Sequence, residues 1–318
     1  MEQSYKITIL DSEIIEPGEK KLIKLPVGYL PSGNKIYIHI FVNKSLLPGP
    51  TILLIGGIHG DEINGTEIVR RASEWVKSRN ILKGTVITIP LLNVYGFIHF
   101  TREVAEGKDV NRSFPGSSRG SLASRIANIL YKSILPGIDA LIDFHTGGGQ
   151  RYNYPQVRFT KNDKKSFALA KAFGAPFLIE STIRQNSLRQ YAHKLKIANL
   201  TFEGGEASRF DGFSIDKALM GIKNVLHDLG MIEEMILPPH KTVIITEDKW
   251  IRAPYSGIFV WNRASGVYVS KGEILGTISD PDNLRLQYVK AKESGYLIGH
   301  NNAPVVHVGD ALFHMGQP

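Results

Sequence analysis

The stretch TILLIGGIHGDEING, from Thr51 to Gly65, decides the fold class of this chain. Its first six residues form an apolar run with the length of a buried strand, and apolar residues at helical spacing follow from Thr66 to Arg79. The glycines between them permit a tight turn. A buried strand that turns directly into a helix is typical of an α/β protein, in which helices cover both faces of the sheet.

The same order recurs along the next part of the chain. Further strand-like runs lie at Thr85–Leu92, Ala140–Phe144, Phe177–Glu180 and Leu200–Phe202. Further helical patterns lie at Leu122–Ile134, Lys164–Phe173 and Ile215–Leu229. Before them, residues 1–45 contain alternating segments such as Lys35–Ile40, which are typical of edge or antiparallel strands. We therefore predict a mostly parallel or mixed sheet flanked by helices.

The pattern changes near Pro238, where short strands and glycine turns replace the long helices. We expect two domains, a catalytic α/β domain at residues 1–237 and a β-rich domain at residues 238–318. The second domain repeats itself, since Gly257–Phe259 recurs as Gly295–Leu297, which is typical of a pair of hairpin layers. These residues resemble the barrel-sandwich fold of biotinyl and lipoyl carrier domains.

Carrier function is not expected for this β-rich domain. A carrier needs a lysine at the tip of the hairpin, flanked in the familiar pattern by methionines. The connecting stretch has only Lys290 and Lys292, within YVKAKES. We interpret the domain as structural.

Composition narrows the class of protein. The chain has 318 residues, of which 42% are hydrophobic and 21% charged, in the ordinary range of soluble globular proteins. The longest apolar run, near Ile52–Ile58, is too short to span a bilayer, so we expect a cytoplasmic protein without a membrane partner. The net charge is +8, but the 38 Lys and Arg are dispersed along the chain, so no nucleic-acid partner is expected. Cysteine is absent, so a zinc ion would need nitrogen and oxygen ligands.

A possible metal site begins at His59 and Glu62, three residues apart where the first buried strand gives way to a helix. His145 follows the later run Ala140–Ile142. Because ligands of open α/β sheets bind beyond the carboxyl ends of the strands, these three side chains could meet there. Two histidines and one glutamate would leave a fourth zinc position open, as catalytic sites require. Asp143, two residues before His145, is a candidate to hydrogen-bond to a metal ligand rather than to bind the ion itself.

Glu203 is the candidate general base. It directly follows the apolar run Leu200–Phe202 and precedes two glycines. A glutamate there can take a proton from a water and return it to a leaving nitrogen, as amide hydrolysis needs. Glu206 is the competing candidate, and Glu203 is preferred because it abuts the strand.

A polar loop supplies candidates for substrate binding. Asn111 and Arg112 lie in DVNRSFPG, and arginine presents a planar fork that suits carboxylates. Arg102 could add a positive charge that polarises the scissile carbonyl. An Asn-Arg pair taken alone is also compatible with an ordinary loop contact.

Four motifs in order, GGIHGDEING, DVNRSFPG, DFHTG and TFEGG, resemble the succinylglutamate desuccinylase/aspartoacylase family within the zinc carboxypeptidase superfamily. The resemblance covers roughly residues 50–230, and the β-rich C-terminal part is also similar. It implies one zinc ion per chain on His59, Glu62 and His145, with Glu203 as general base. It also implies that Asn111 and Arg112 bind a substrate carboxylate and that Arg102 polarises the carbonyl.

Two departures from the family pattern concern the pocket. The C-terminal tyrosine that some members add to the active site has three possible counterparts, Tyr255, Tyr268 and Tyr296. The general-base segment carries a second glutamate, Glu206, which places an extra negative charge near Glu203.

The residues and the resemblance together predict a zinc-dependent hydrolase that cleaves the amide of a small anionic N-acyl amino acid. A zinc carboxypeptidase acting on a peptide C-terminus could use the same groups. A non-catalytic protein that binds metal or a partner is the alternative from another class. A homo-oligomer is possible, because an exposed sheet edge or the β-rich domain could support a dimer.

Overall fold

The computed structural model describes residues 7–9, 13–234, 242–282 and 284–318. Its strands are β1 (Ile7–Ile9), β2 (Glu13–Ile15), β3 (Lys20–Tyr29), β4 (Lys35–Lys44), β5 (Thr51–Gly56), β6 (Thr85–Ile89), β7 (Ala140–Gly147), β8 (Arg151–Thr160), β9 (Phe177–Ser181), β10 (Ala198–Glu206), β11 (Val243–Ile245), β12 (Glu247–Arg252), β13 (Gly257–Trp261), β14 (Tyr268–Val269), β15 (Ile274–Ser279), β16 (Leu286–Lys290), β17 (Gly295–Asn301), β18 (Val305–Val306) and β19 (Ala311–Gln317). Its α-helices are α1 (Ile63–Lys77), α2 (Val94–His99), α3 (Leu122–Ile129), α4 (Lys164–Phe173), α5 (Leu188–Lys194) and α6 (Gly212–Asp228). A 3₁₀ turn covers Val110–Arg112, and a π-helical turn at Leu130–Ile134 continues α3.

Most strands join one mixed sheet of 13 strands. Its centre, β6-β5-β7-β10, is parallel. On one side β4 and β3 continue the sheet in antiparallel fashion, and on the other side β8, β17, β19 and β12 do so. The predicted α/β fold with a mixed, helix-flanked sheet is confirmed. No helix in the described part of the chain combines the length and the apolar character needed to cross a bilayer.

The central strands fill two hydrophobic cores, one on each face of the sheet. In β5, Leu53 and Ile55 belong to the core beneath α2, α3 and α5, whereas Ile52 and Leu54 belong to the core beneath α1, α4 and α6. Successive side chains of a strand point to opposite faces, so a strand buried on both faces must be apolar throughout. This explains why the run in β5 is continuous rather than alternating.

The C-terminal strands form two antiparallel layers. The sheet β16-β15-β13-β18 is one layer, and β12, β19, β17 and β14 are the other. Buried side chains such as Phe259, Leu275, Leu297 and Phe313 lie in the core of this region. The second layer pairs with β8, so the C-terminal region continues the main sheet. The predicted boundary between residues 237 and 238 lies outside the described residues, and the division into two domains stays a prediction.

Candidate metal centre and active site

Glycines bring the start of α1 against the carboxyl ends of the strands. A Cβ on Gly65 would lie 2.2 Å from the carbonyl oxygen of Phe144 in β7, so any side chain there would force helix and strand apart. Gly57 has a φ of +61°, a conformation that favours glycine, in the turn between β5 and α1. As a result Glu62, which immediately precedes α1, reaches the end of β7.

His59, Glu62 and His145 converge as the sequence predicts. Glu62 Oε1 lies 2.7 Å from His59 Nδ1, and Glu62 Oε2 lies 2.8 Å from His145 Nδ1. The backbone N–H of Thr146 donates a hydrogen bond of 3.1 Å to Glu62 Oε2. All three side chains are buried, and one ligand atom from each lies within 4.8 Å of the others. This group could hold a metal ion.

Carboxylates lie behind both imidazoles. Asp143 Oδ2 is 2.7 Å from His145 Nε2. Asp109 Oδ1 is 3.3 Å from His59 Nε2, an ion-pair distance without the geometry of a hydrogen bond. Metal-binding histidines commonly have such a carboxylate on the ring nitrogen that faces away from the ion, where it fixes the tautomer and the ring orientation. The surroundings of the two imidazoles therefore fit a metal centre.

The charges of this group are strongly coupled. Burial alone would lower the pKa of His145, but the carboxylates of Asp143 and Glu62 raise it well above its ordinary value. Burial would raise the pKa of Glu62, but His59 and His145 hold it well below its ordinary range. The pKa of His59 is raised in the same way, because Glu62 and Asp109 outweigh the effect of burial. A buried carboxylate is thus kept ionised between two imidazoles, where a bound cation would replace their protons.

Glu203 lies beside this group on the neighbouring strand. In the parallel pair β10–β7, Glu203 is in register with His145. Phe144 and Phe202, one residue earlier in each strand, pack in the core on the opposite face. Asn153 Nδ2 donates a hydrogen bond of 3.0 Å to Glu203 Oε2. The half-buried carboxylate of Glu203 therefore lines the same pocket as the three candidate ligands.

Glu206, the competing candidate, is located elsewhere. It is buried, and its Oε2 accepts a hydrogen bond of 2.6 Å from Asn302 in the C-terminal region. It is not among the residues that line the pocket in the described part of the chain. The geometry thus favours Glu203 as the base.

Arg102 lies directly against the candidate ligands. Its Nε and Nη2 donate to Asp109 Oδ2 at 3.1 and 2.8 Å. Its Nη1 lies 3.3 Å from Glu62 Oε1 and 3.1 Å from His59 Nδ1. Burial would lower the pKa of Arg102, but Asp109 and Glu62 raise it, so the group remains a fixed positive charge.

Asn111 and Arg112 line the pocket together. The Oδ1 of Asn111 accepts a hydrogen bond of 2.8 Å from the backbone N–H of Leu188, at the start of α5, which leaves Nδ2 as the donor of its side chain. Arg112 Nη1 donates to the carbonyl oxygen of Asn111 at 2.5 Å. The 3₁₀ turn that carries both residues is anchored because Asp109 Oδ1 accepts from the backbone N–H of Asn111.

The pocket around these groups has a volume of about 400 Å³ and is rich in arginine. Three carboxylates line it, those of Glu62, Glu203 and Asp248. Six arginines line it: Arg102, Arg112, Arg151, Arg158, Arg184 and Arg189. Burial and the charges of Arg158 and Arg184 lower the pKa of Arg189 to about 10, although Glu203 opposes this shift. The balance of charge favours an anionic ligand.

The C-terminal region contributes one wall of the pocket through Asp248, Trp250 and His314. Asp248 Oδ2 lies 2.6 Å from His314 Nε2, and the Trp250 ring stacks on the His314 ring with centroids 4.5 Å apart. The tyrosines that the sequence suggested for this role, Tyr255, Tyr268 and Tyr296, are not among the lining residues in the described part of the chain.

Comparison with known proteins gives the family. The family model described as "Succinylglutamate desuccinylase/Aspartoacylase catalytic domain" matches residues 48–229, more than half of the chain. The chain belongs to this family. The resemblance of its four motifs is thereby confirmed.

Individual relatives agree with this placement. The N-alpha-acetyl-L-2,4-diaminobutyric acid deacetylase of Halomonas elongata is 26% identical over 281 residues, which cover 83% of this chain and 81% of that protein. The crystal structure of a succinylglutamate desuccinylase/aspartoacylase from Rhodobacter sphaeroides is 26% identical, with a TM-score of 0.85 over 98% of this chain and 99% of that one. A metallo-carboxypeptidase from Burkholderia cenocepacia, 16% identical, shares the fold alone, with a TM-score of 0.52 over 66% of this chain and 64% of that one.

Proposed function

We propose that the protein is a zinc-dependent hydrolase that cleaves the amide bond of a small anionic N-acyl amino acid. The observation that carries this proposal is the register of Glu203 with His145, which puts a candidate base beside the buried His59–Glu62–His145 group. The name of the Halomonas relative, a deacetylase of an N-acetyl amino acid, supports the same reaction class.

The donor set suits zinc. Two imidazole nitrogens and one carboxylate match a catalytic zinc site that keeps a position open, and the chain has no cysteine. We expect one ion per chain on His59, Glu62 and His145. When bound, zinc supplies Lewis acidity, which lowers the pKa of the attacking water and polarises the acyl carbonyl.

The residues of the chain account for the other steps. Glu203 takes the proton from the attacking water and delivers it to the amide nitrogen as the C–N bond breaks, which releases a carboxylic acid and an amine. Arg102, held by Asp109, places a positive charge where the carbonyl oxygen gains negative charge. Asn111 and Arg112 bind the carboxylate of the amino acid.

Asp143 gives a test of the metal site that does not depend on turnover. Because its carboxylate is 2.7 Å from His145 Nε2, Asp143→Asn removes the charge that orients the imidazole. Zinc affinity is expected to fall by about 10–100-fold, the usual effect of losing such a partner. Competition with a chelating dye measures the zinc affinity. An unchanged affinity would show that Asp143 does not support metal binding.

The arginines suggest that favoured substrates carry a second negative group besides the amino-acid carboxylate. Arg158 Nε is buried and lacks a hydrogen-bond partner among the described residues. Arg158→Gln is expected to lower kcat/KM by about 10–100-fold for such substrates, since a charge-assisted hydrogen bond contributes about 1.5–3 kcal/mol. Substrates with one carboxylate should change little. An equal loss for substrates with one and with two negative groups would show that Arg158 does not bind the second group. Arg209→Gln, at an exposed arginine outside the pocket, is the control.

A panel of substrates separates this proposal from its alternatives. A cavity of about 400 Å³ is near the small end of ligand pockets, which favours an acylated amino acid over a long peptide. Zinc-loaded protein is therefore expected to hydrolyse N-acetyl or N-succinyl amino acids faster than dipeptides. Faster cleavage of dipeptides would support the carboxypeptidase, and a protein that neither binds zinc nor turns over any substrate would support the non-catalytic alternative. The cytoplasmic location and the homo-oligomer stay predictions.

A further inference from the structure

The side chain of Asn153 fixes one oxygen of the Glu203 carboxylate. Its Nδ2 donates to Glu203 Oε2 at 3.0 Å, and the residue is buried in the wall of the pocket. The NH₂ group of a neutral amide only donates hydrogen bonds. It can therefore hold a carboxylate without competing with that carboxylate for a proton. The hydrogen bond engages one of the two carboxylate oxygens.

An irregularity in the sheet puts Asn153 in this position. Between the pairs Glu203–Gln156 and Gly205–Asn153, β10 advances by two residues and β8 by three. An extra residue in one strand is a β-bulge, which re-aims the side chains next to it and is common beside active sites. The additional residue in β8 brings Asn153 to the face of the sheet that carries Glu203.

Strand β17 of the C-terminal region provides the space for the Asn153 amide. Asn153 is paired with Gly205 of β10 on one side and with Gly299 of β17 on the other, so neither partner has a side chain. A Cβ on Gly299 would lie 3.0 Å from Asn153 Oδ1 and 3.0 Å from the carbonyl oxygen of Tyr152. These contacts are tighter than ordinary van der Waals distances, so a side chain there would press on the amide.

We propose that Asn153 is a positioning residue for the general base, and that Gly299 of the C-terminal region sets where its amide lies. The inference rests on the proposed role of Glu203. It gives the C-terminal strands a part in catalysis through the packing of one side chain, besides the wall that they add to the pocket.

The chain contains a matched control. Asn302 Nδ2 donates to Glu206 Oε2 at 2.6 Å, so the same pair of side chains occurs three residues further along β10. Neither Asn302 nor Glu206 is among the residues that line the pocket in the described ranges. Removing the Asn302 amide therefore removes an equivalent hydrogen bond without touching the base, together with the bond of 2.9 Å that its Oδ1 accepts from Trp261 Nε1.

The first experiment compares Asn153→Ala with Asn302→Ala in the zinc-loaded protein. Asn153→Ala is expected to lower kcat by about 10–100-fold, because a misplacement of about 1 Å can cost about 10²-fold. KM should stay within about threefold, since Asn153 contributes to the transition state rather than to uniform binding. Zinc content should not change, and Asn302→Ala should retain kcat.

The second experiment tests the link to β17 with a double-mutant cycle. Gly299→Ala alone is expected to lower kcat by a smaller factor than Asn153→Ala. In the double variant the combined loss should be smaller than the product of the two single losses, because the contact with the Asn153 amide is gone and the contact with the Tyr152 carbonyl oxygen remains. Effects that multiply would overturn the link between Gly299 and Asn153.

Crystal structures separate failure of this inference from failure of the proposed function. In Asn153→Ala the Glu203 carboxylate should take a different position, and in Asn302→Ala it should not move. This readout needs no turnover, so it stands even if the native protein hydrolyses no N-acyl amino acid. An unmoved Glu203 together with a native kcat in Asn153→Ala would overturn the positioning role.

Discussion

Replacing Glu203 by glutamine is expected to lower kcat by about 10²–10⁴-fold, the usual contribution of a general acid–base group. Glutamine keeps the shape of the side chain and can still contact Asn153, but it cannot accept the proton of the attacking water. Steady-state kinetics with the best N-acyl amino acid measures the effect. Zinc content should equal that of the native protein, because Glu203 is outside the proposed ligand set.

Glu206→Gln is the matched control for this experiment. Glu206 is on the same strand and is also bonded to an asparagine, but it does not line the pocket. Its substitution should leave kcat close to native, while the free energy of unfolding falls by at most about 1.5 kcal/mol, because glutamine can still accept the hydrogen bond from Asn302 but without a negative charge. If Glu206→Gln abolished turnover and Glu203→Gln did not, the base would have to be reassigned to Glu206.

Removing the metal is expected to lower kcat/KM by at least about 10³-fold. Electrophilic assistance by a metal ion contributes several kcal/mol to the transition state, and each 1.4 kcal/mol corresponds to about a factor of ten. Dialysis against a chelator should produce this loss, and adding zinc back should reverse it. His145→Ala should produce a loss that zinc does not reverse, because one of the proposed ligands is gone.

His99→Ala is the control for the histidine substitution, because His99 is exposed at the end of α2 and outside the pocket. It should keep both zinc and activity. Circular dichroism should show that the chelated protein and the His145→Ala variant retain their secondary structure. Full activity after complete removal of metal would contradict the proposed mechanism.

The sequence predicts the centre of the fold well. The apolar run of β5 and the helical spacing after it are local signals, and both elements are present, although α1 begins at Ile63 rather than Thr66. His59, Glu62, His145 and Glu203 follow buried strands or end them, and carboxyl ends of parallel strands meet at one edge. Their convergence could therefore be anticipated without coordinates.

The rest of the pocket depends on pairings that no local pattern reveals. The sequence does not predict strand β8, because RYNYPQVRFT contains Pro155 and several polar residues although most of the strand is buried. The bulge that turns Asn153 toward Glu203 is visible only in the register between β8 and β10. Arginines that are dispersed along the chain, such as Arg158 and Arg189, meet only after folding.

The C-terminal wall of the pocket is likewise only partly predictable from the sequence. The change of pattern near residue 238 indicates a β-rich region, and the structure confirms the antiparallel strands. Which of its side chains reach the pocket depends on the pairing of β17 with β8 and of β19 with β12. That pairing selects Trp250 and His314 instead of the tyrosines that the resemblance suggested.

The most direct test of the proposed metal centre is a crystal structure of the zinc-loaded protein with diffraction data collected on both sides of the zinc absorption edge. One anomalous peak per chain is expected, located between the side chains of His59, Glu62 and His145. A peak located elsewhere, or no peak between these three side chains in fully loaded crystals, would contradict it.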